Sequence, residues 1–326
     1  MAEGGLTVLD GTALRSLAVS PIELNGVITG ANLLEIADTK ASQSLFGIQL
    51  PHNIKNSALA RVIGCDDEST FRRTELTAEQ ASKTFSDYLS TIADQLKDEP
   101  LLVSILNGST PKRYLEDEDD FAMLAEDLFT CLDAEDKGKI CKSEIRNALV
   151  SMGVEMGIPP FSEFPLLNDI LKKHGAEGEE ELGQAQFAEL LQPIVQEIAN
   201  VLSEKHVVVI HDVKVVNGSK LRKILADEKQ LKSVIERIFH EKDFGNNKLG
   251  KTQSIQNFLE KNAKELGLPP ADSNEAAAVV YDAVFSDVEI ENSSVEEDKF
   301  AELVKDILLK FAEQLEANPV YFDLDN

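Results

Sequence analysis

The sequence contains the same pattern three times, and this repetition limits the folds that the chain can adopt. Residues 156–160 (Met-Gly-Ile-Pro-Pro) return 110 positions later as residues 266–270 (Leu-Gly-Leu-Pro-Pro). Residues 187–191 (Phe-Ala-Glu-Leu-Leu) return 113 positions later as residues 300–304 (Phe-Ala-Glu-Leu-Val). Because a period this long exceeds that of solenoid repeats, it indicates duplicated small domains.

The first third of the chain keeps the helical register of the other two. Trios of apolar residues, spaced by three and four positions, recur at offsets of 106 and 113 and place one helix face in each third. These trios are Leu89, Ile92 and Leu96; Val195, Ile198 and Leu202; and Leu308, Phe311 and Leu315. Asn-Gly-Ser turn signals at 107–109 and 217–219 mark the ends of units. We therefore expect three units, 1–108, 109–218 and 219–326, each long enough for its own core.

The net charge of the chain limits the kinds of molecule that it can bind. Lys and Arg number 32 against 58 Asp and Glu, so the formal charge is −26, which repels nucleic acids and anionic membranes. We expect a protein or peptide partner of basic character, no nucleic acid and no membrane insertion. The sequence has no run of about eighteen apolar residues and no signal-peptide pattern at its amino terminus. These features predict a soluble, cytoplasmic protein whose three cysteines are reduced.

The middle unit is predicted to contain a helix, a twelve-residue loop and a second helix. Helical spacing of apolar residues runs from Phe121 to Leu132 and resumes from Ile145 to Met152. The residues between, 133–144, read Asp-Ala-Glu-Asp-Lys-Gly-Lys-Ile-Cys-Lys-Ser-Glu. In a loop of this length, Ca²⁺ takes oxygen ligands from positions 1, 3, 5, 7, 9 and 12, and a glycine at position 6 makes the turn.

Five residues of this loop meet these requirements. Asp133 and Glu135 carry carboxylates at positions 1 and 3, and Glu144 carries the bidentate carboxylate at position 12. Lys139 offers its backbone carbonyl at position 7, and Gly138 occupies position 6. The sequence therefore predicts one metal site, formed by Asp133, Glu135, Lys139 and Glu144.

With its two flanking helices the loop resembles an EF-hand, and the chain is similar to the soluble calmodulin-like plant proteins that carry several degenerate EF-hands. The resemblance implies an all-α fold of three tandem EF-hand-like pairs. Each pair would consist of two helix–loop–helix units whose loops are joined by a short β ladder. In the middle unit, we expect Ile140 to pair with Leu182, because both hold position 8 of their loops.

Lys137 departs from the pattern at position 5, where an oxygen ligand is expected. Lysine has no lone pair to donate when charged, and its positive charge repels the cation. We therefore expect a weak calcium site, with a dissociation constant of roughly 10⁻⁵ to 10⁻³ M.

The other five predicted loops have lost ligands. They lie at about 21–32, 69–80, 175–186, 243–254 and 287–299, and they end in Asn32, Gln80, Gln186, Ser254 and Lys299 in place of glutamate. The last loop keeps alternating acids at Asp287, Glu289 and Glu291, which leaves a non-standard site there as an alternative. We expect these loops to persist as scaffold.

Catalysis is not expected, because the five histidines are scattered and no phosphate-binding glycine loop or nucleophile elbow occurs. Two functions remain. One is a calcium-binding protein, a weak sensor or modulator that acts through residues 133–144 and binds protein partners. The alternative is a metal-independent interaction scaffold built from degenerate EF-hand pairs. With only four methionines in the chain, we expect calcium to change its shape very little.

Overall fold

The fold combines helices with four small β-sheets. The computed structural model describes residues 5–19, 27–64, 67–240, 251–286 and 297–323. Within these ranges, nine strands form one three-stranded and three two-stranded sheets. The expected all-α fold is therefore wrong.

The elements follow one another along the chain as three similar series. In the first third, the helices are α1 (Thr12–Ala18), α2 (Gly30–Ser44), α3 (His52–Ile63), α4 (Glu68–Arg73) and α5 (Ala78–Asp98), and the strands are β1 (Leu6–Leu9), β2 (Ile28–Thr29), β3 (Glu75–Leu76) and β4 (Leu101–Leu106). In the middle third, the helices are α6 (Ser109–Glu116), α7 (Glu118–Leu132), α8 (Ile145–Met152), α9 (Leu166–Lys173) and α10 (Gln184–Glu204), and the strands are β5 (Ile140–Cys141), β6 (Glu181–Leu182), β7 (Val207–Ile210) and β8 (Val213–Val216). In the last third, the elements are α11 (Ser219–Ala226), α12 (Glu228–Phe239), α13 (Lys251–Lys261), α14 (Ala263–Leu266), α15 (Glu275–Phe285), α16 (Glu297–Ala317) and β9 (Val320–Asp323).

Each series ends in a long helix. α5, α10 and α16 have 21 residues each. All nine members of the predicted apolar trios are 0% exposed on these helices. Since full burial of such a side chain contributes about 1.5–3 kcal/mol, these faces are a large part of what holds each repeat together. The helical register inferred from the sequence is confirmed.

Strands that the sequence analysis did not predict join the two ends of a repeat. β4 pairs antiparallel with β7, with Leu106 opposite Val207. β8 pairs in the same sense with β9, with Val216 opposite Val320. In both cases the first strand leads into a short helix and the second follows the long one. The all-α prediction fails at these strands. Their backbone N–H and C=O groups form hydrogen bonds with a strand about 100 residues away in the chain, and this pairing turns apolar segments into strands.

Shorter ladders join the loops within two of the repeats. Ile140 pairs with Leu182, as predicted, and Ile28 pairs with Leu76. The segment 69–80 is not a twelve-residue loop, because α4 continues to Arg73. That part of the prediction is wrong, and Arg72 and Arg73 belong to a helix end.

The first repeat is shorter than the middle one. From Gly11 to Ile28 the chain advances 17 positions, whereas from Gly108 to Ile140 it advances 32. The difference, 32 − 17 = 15, equals the 15 residues of α7. The first repeat is therefore shorter than the middle one by the length of the helix that leads into the 133–144 loop.

By their contacts the residues group into two compact units. One comprises Met1–Val8, Phe46–Ile48 and Val103–His211, and its core is built around residues such as Phe129 and Phe187. The other comprises Leu9–Leu45, Gln49–Leu102 and Asp212–Asn326, and it contains a core around Phe300 and Phe311. Independent folding of the units 1–108, 109–218 and 219–326 stays a prediction. In the described part of the chain, no helix combines the length and apolar character needed to cross a bilayer.

A glycine at the start of each repeat lies against the backbone of the long helix. These glycines adopt left-handed φ angles of 81°, 77° and 72°. A Cβ atom added to Gly108 would lie 2.1 Å from the carbonyl oxygen of Ala199. The corresponding distances in the first and last repeats are 2.4 Å and 2.8 Å. The pairs are Gly11 with Ala93, Gly108 with Ala199, and Gly218 with Ala312.

We expect Gly108→Ala to lower the free energy of unfolding by more than about 3 kcal/mol, because the new methyl group must displace α6 from α10 in addition to adopting a positive φ. Gly175→Ala is the matched control. Gly175 has a φ of 64°, and no described atom lies within 4 Å of its added Cβ, so this change should cost only about 1–2 kcal/mol. Urea unfolding of both variants measures the difference, and equal losses would show that the approach to Ala199 is unimportant.

Candidate metal site

Residues 133–144 form a loop between two helices, as predicted. Asp133 is the C-cap of α7 and Glu144 is the N-cap of α8. A short 3-10 turn spans Lys142–Glu144. The two ends of the predicted ligand set are therefore attached to helices that pack through buried side chains, including Phe129 and Ile145.

The Asp133 carboxylate organises the loop backbone. Its Oδ1 atom accepts a hydrogen bond from the Lys137 N–H at 2.9 Å, and its Oδ2 atom accepts one from the Gly138 N–H at 2.7 Å. Left-handed φ angles of 52° at Asp136 and 67° at Gly138 accompany this turn. Aspartate commonly closes turns in this way. The loop is thus held closed by its own hydrogen bonds.

Lysine side chains form ion pairs with carboxylates in the loop and beside it. The Lys137 ammonium forms an ion pair with Glu135, the residue at position 3. The Lys139 ammonium lies 3.8 Å from a carboxylate oxygen of Glu181 on β6. Lys137 and Glu135 are exposed, so their ion pair is worth little in free energy. It nevertheless occupies a carboxylate that a metal would need.

Glu144 also has a partner within the protein. Its Oε2 atom accepts a hydrogen bond from the Asn147 Nδ2 atom at 2.6 Å. Across the five described ranges, no three His, Cys, Asp or Glu side chains lie together in an arrangement that could hold a metal ion. The structure therefore places Asp133, Glu135, Lys139 and Glu144 in one loop, but it does not gather their carboxylates around a point. The site stays a prediction.

The neighbouring loop supports this one through its backbone. Besides the Ile140–Leu182 ladder, the Lys142 N–H donates to the Glu180 carbonyl at 2.7 Å. Gln186 holds the position at which a twelfth-position glutamate would stand. Its Oε1 atom accepts a hydrogen bond from the Gly183 N–H at 3.1 Å, so it caps the start of α10. This loop is a structural partner for residues 133–144.

An ionic cluster connects the end of α9 to the long helix α10. Glu197 receives a hydrogen bond from Lys173 Nζ at 2.7 Å, and its other oxygen lies 2.7 Å from His174 Nε2. Hydrogen bonds from Lys173 and then from His174 lower the pKa of the Glu197 carboxyl. The cluster therefore supports the base of the neighbouring loop at neutral pH.

Two further histidines lie at the ends of β7. His211 Nε2 lies 2.7 Å from the Oγ atom of Ser104, and His206 Nε2 lies 2.7 Å from the carbonyl oxygen of Phe46. Ser104 is only 7% exposed, so its contact with His211 provides a partner for a buried hydroxyl group. Cys131 and Cys141 are free thiols, whereas Cys65 lies outside the described residues.

The remaining predicted loops are only partly visible. Positions 21–26, 243–250 and 287–296 lie outside the described residues, and the non-standard site considered at Asp287, Glu289 and Glu291 falls there.

Comparison of the sequence and structure with protein-family models, curated proteins and solved structures gave no match.

The sequence analysis missed a cavity in the second compact unit. It measures about 480 Å³ and lies beside the start of α11. The charged residues around it come from four separate stretches of sequence, between Asp98 and Asp323. No local spacing of residue types therefore signals the site.

We expect Asp133→Ala to destabilise the protein by about 1–2 kcal/mol in EGTA, because two backbone N–H groups lose their acceptor and each hydrogen bond contributes about 1 kcal/mol. Asp127→Ala is the control, since Asp127 is an exposed residue of α7. Its change should stay within about 0.5 kcal/mol. Urea unfolding measures both, and an Asp133 variant as stable as the control would show that the carboxylate does not organise the loop.

We also expect Glu197→Gln to be less stable than the parent chain at pH 6, with a difference that shrinks as the pH falls below about 4. The sign follows from the lowered pKa of Glu197. The stabilisation is present above the unfolded-state pKa and is lost as the pH falls through the folded-state pKa. Glu189→Gln, at an exposed position of the same helix, should show no such dependence in thermal unfolding. A pH-independent difference for Glu197→Gln would contradict the ionic role.

Proposed function

We propose that the chain is an acidic interaction protein of EF-hand ancestry, in which residues 133–144 bind one Ca²⁺ weakly and the other loops serve as scaffold. The observation that carries the proposal is the closed turn around Asp133. A loop that already has its backbone turned by Asp133 and Gly138 loses little conformational entropy when an ion enters. Pairing of Ile140 with Leu182 further restricts the loop.

The contacts of the loop also explain why binding should be weak. An entering ion must compete with Lys137 for Glu135 and with Asn147 for Glu144. It would keep Asp133 at position 1 and take the Lys139 carbonyl at position 7. Lys137 adds a positive charge close to the ion without supplying an oxygen. These effects favour the millimolar end of the range for this class of loop.

The proposed partner is a basic protein or peptide. A formal charge of −26 raises the local concentration of cationic partners and speeds their association, an effect that salt weakens. The cores of the middle and last repeats are built from apolar residues with no contribution from the predicted ligands of the 133–144 loop. Calcium would therefore modulate a surface that is folded in its absence.

Calorimetric titration with Ca²⁺ in a background of Mg²⁺ tests the metal site. We expect one weak site in the parent chain, loss of most binding in Glu144→Gln, and at least tenfold tighter binding in Lys137→Asp, because that change restores an oxygen and removes a positive charge. Lys232→Asp on α12 makes the same charge change outside the loop and should have a much smaller effect. Unchanged stoichiometry in Glu144→Gln, or equal gains in the two lysine variants, would refute the assignment.

A metal-independent scaffold is the second candidate, and a specific observation favours it. Asp133 and Glu135 have partners inside the loop, and Glu144 has one in Asn147 on α8, so the loop can be complete without an ion. Absence of binding heat, together with unchanged backbone NMR signals of residues 133–144 in millimolar Ca²⁺, would support this candidate over the first.

A further inference from the structure

The cavity beside α11 has an apolar floor. Val215, Val216 and Leu268 line it and are at most 6% exposed, and Phe322 of β9 completes the apolar surface. A volume of about 480 Å³ falls in the range of about 300 to 1,000 Å³ that is typical of sites for small molecules. All of the lining residues belong to the second compact unit.

Charged side chains of both signs surround this floor, and some of them already form pairs. Asp98 accepts a hydrogen bond from Ser219 Oγ at 3.1 Å and pairs with Lys223 Nζ at 2.6 Å. Glu99 pairs with Lys214 Nζ at 3.3 Å. These contacts hold the end of α5 against β8 and the start of α11, and the charges of these side chains are already compensated.

Other charged groups at the cavity remain available. The Lys220 ammonium donates to the carbonyl oxygen of Lys264 at 3.0 Å, and it also helps Arg237 to lower the pKa of Glu265. The ammonium group of Lys264 and the carboxylates of Asp272 and Asp323 have no hydrogen-bond or ion-pair partner among the described residues. The cavity thus presents free positive and negative groups beside an apolar surface.

The middle repeat provides an internal comparison. The positions 110 residues before Lys214, Lys220, Lys264 and Asp272 are Ser104, Thr110, Val154 and Ser162. The middle repeat builds the same succession of strand, short helix and long helix without these charges. The fold therefore does not require them, and they distinguish the last repeat from its copy.

We propose that this cavity binds a small zwitterion, a molecule with a free amino group and a carboxylate on an apolar body, which is the chemistry of a short apolar peptide. The apolar body packs against Val215, Leu268 and Phe322. Its carboxylate meets the Lys264 ammonium, and its amino group meets the carboxylates of Asp272 and Asp323. A ligand with a single charge leaves the opposite charges of the cavity without a partner, and this mismatch disfavours it. The proposal does not depend on calcium binding at residues 133–144.

Titration of the full chain with the dipeptide phenylalanyl-leucine tests the proposal, with the methyl NMR signals of Val215 and Leu268 as the readout. We expect saturable shifts at these residues, while the Ile158 methyl signals, at the equivalent position of the middle repeat, stay unchanged. The N-acetylated and the C-amidated dipeptides, which each lack one charge, should bind about three- to fivefold more weakly.

Variants assign the two ends of the ligand. Lys264→Gln should weaken the parent dipeptide and its N-acetylated form about three- to fivefold, but not the amide. Asp272→Asn combined with Asp323→Asn should weaken the parent dipeptide and the amide, but not the N-acetylated form. Lys232→Gln, away from the cavity, is the control. Absence of saturable shifts, equal binding of the three dipeptides, or variants that weaken all three equally would overturn the proposal.

Discussion

The close approach of a glycine to the long helix determines how each repeat is closed. Gly108 lies two residues after Leu106 of β4, and Ala199 lies on α10 shortly before Val207 of β7. The Gly108–Ala199 contact therefore brings the two strands to the positions at which Leu106 and Val207 pair. Only a residue without a Cβ atom permits this approach at a positive φ. The same arrangement at Gly218 places β8 beside β9.

The ends of each repeat are joined by backbone contacts and by buried helix faces. The loop sequences can therefore differ between repeats without loss of the fold. Residues 133–144 keep an aspartate that organises the turn, and the neighbouring loop has Gln186 acting as a helix cap. In the first repeat, α4 occupies the first five positions of the segment 69–80, which was predicted to be a loop. These differences leave the core of the middle repeat intact, because the residues at the predicted ligand positions are not part of it. Loss of metal ligands is therefore compatible with a stable fold.

The duplication also explains how one copy acquired new surface chemistry. At the positions equivalent to Lys214, Lys220 and Lys264, the middle repeat carries uncharged residues. A further constraint comes from Asp98 and Glu99, which belong to the first repeat and pair with lysines of the last one. The charged cavity thus combines residues from two repeats within one compact unit.

The sequence by itself determined the features that depend on local periodicity. The apolar trios identified the buried faces of α5, α10 and α16, and the position of Ile140 and Leu182 in their loops predicted that they pair. The partners of Glu135 and Glu144 could not be predicted in this way, because they depend on side-chain conformations within the loop. The strand pairs β4–β7 and β8–β9, the helical character of α4 and the cavity beside α11 were decided only by the tertiary structure. Each of these features joins residues that are far apart in the chain or depends on packing against a neighbouring element. Long-range pairing and packing leave no periodic signal in the sequence.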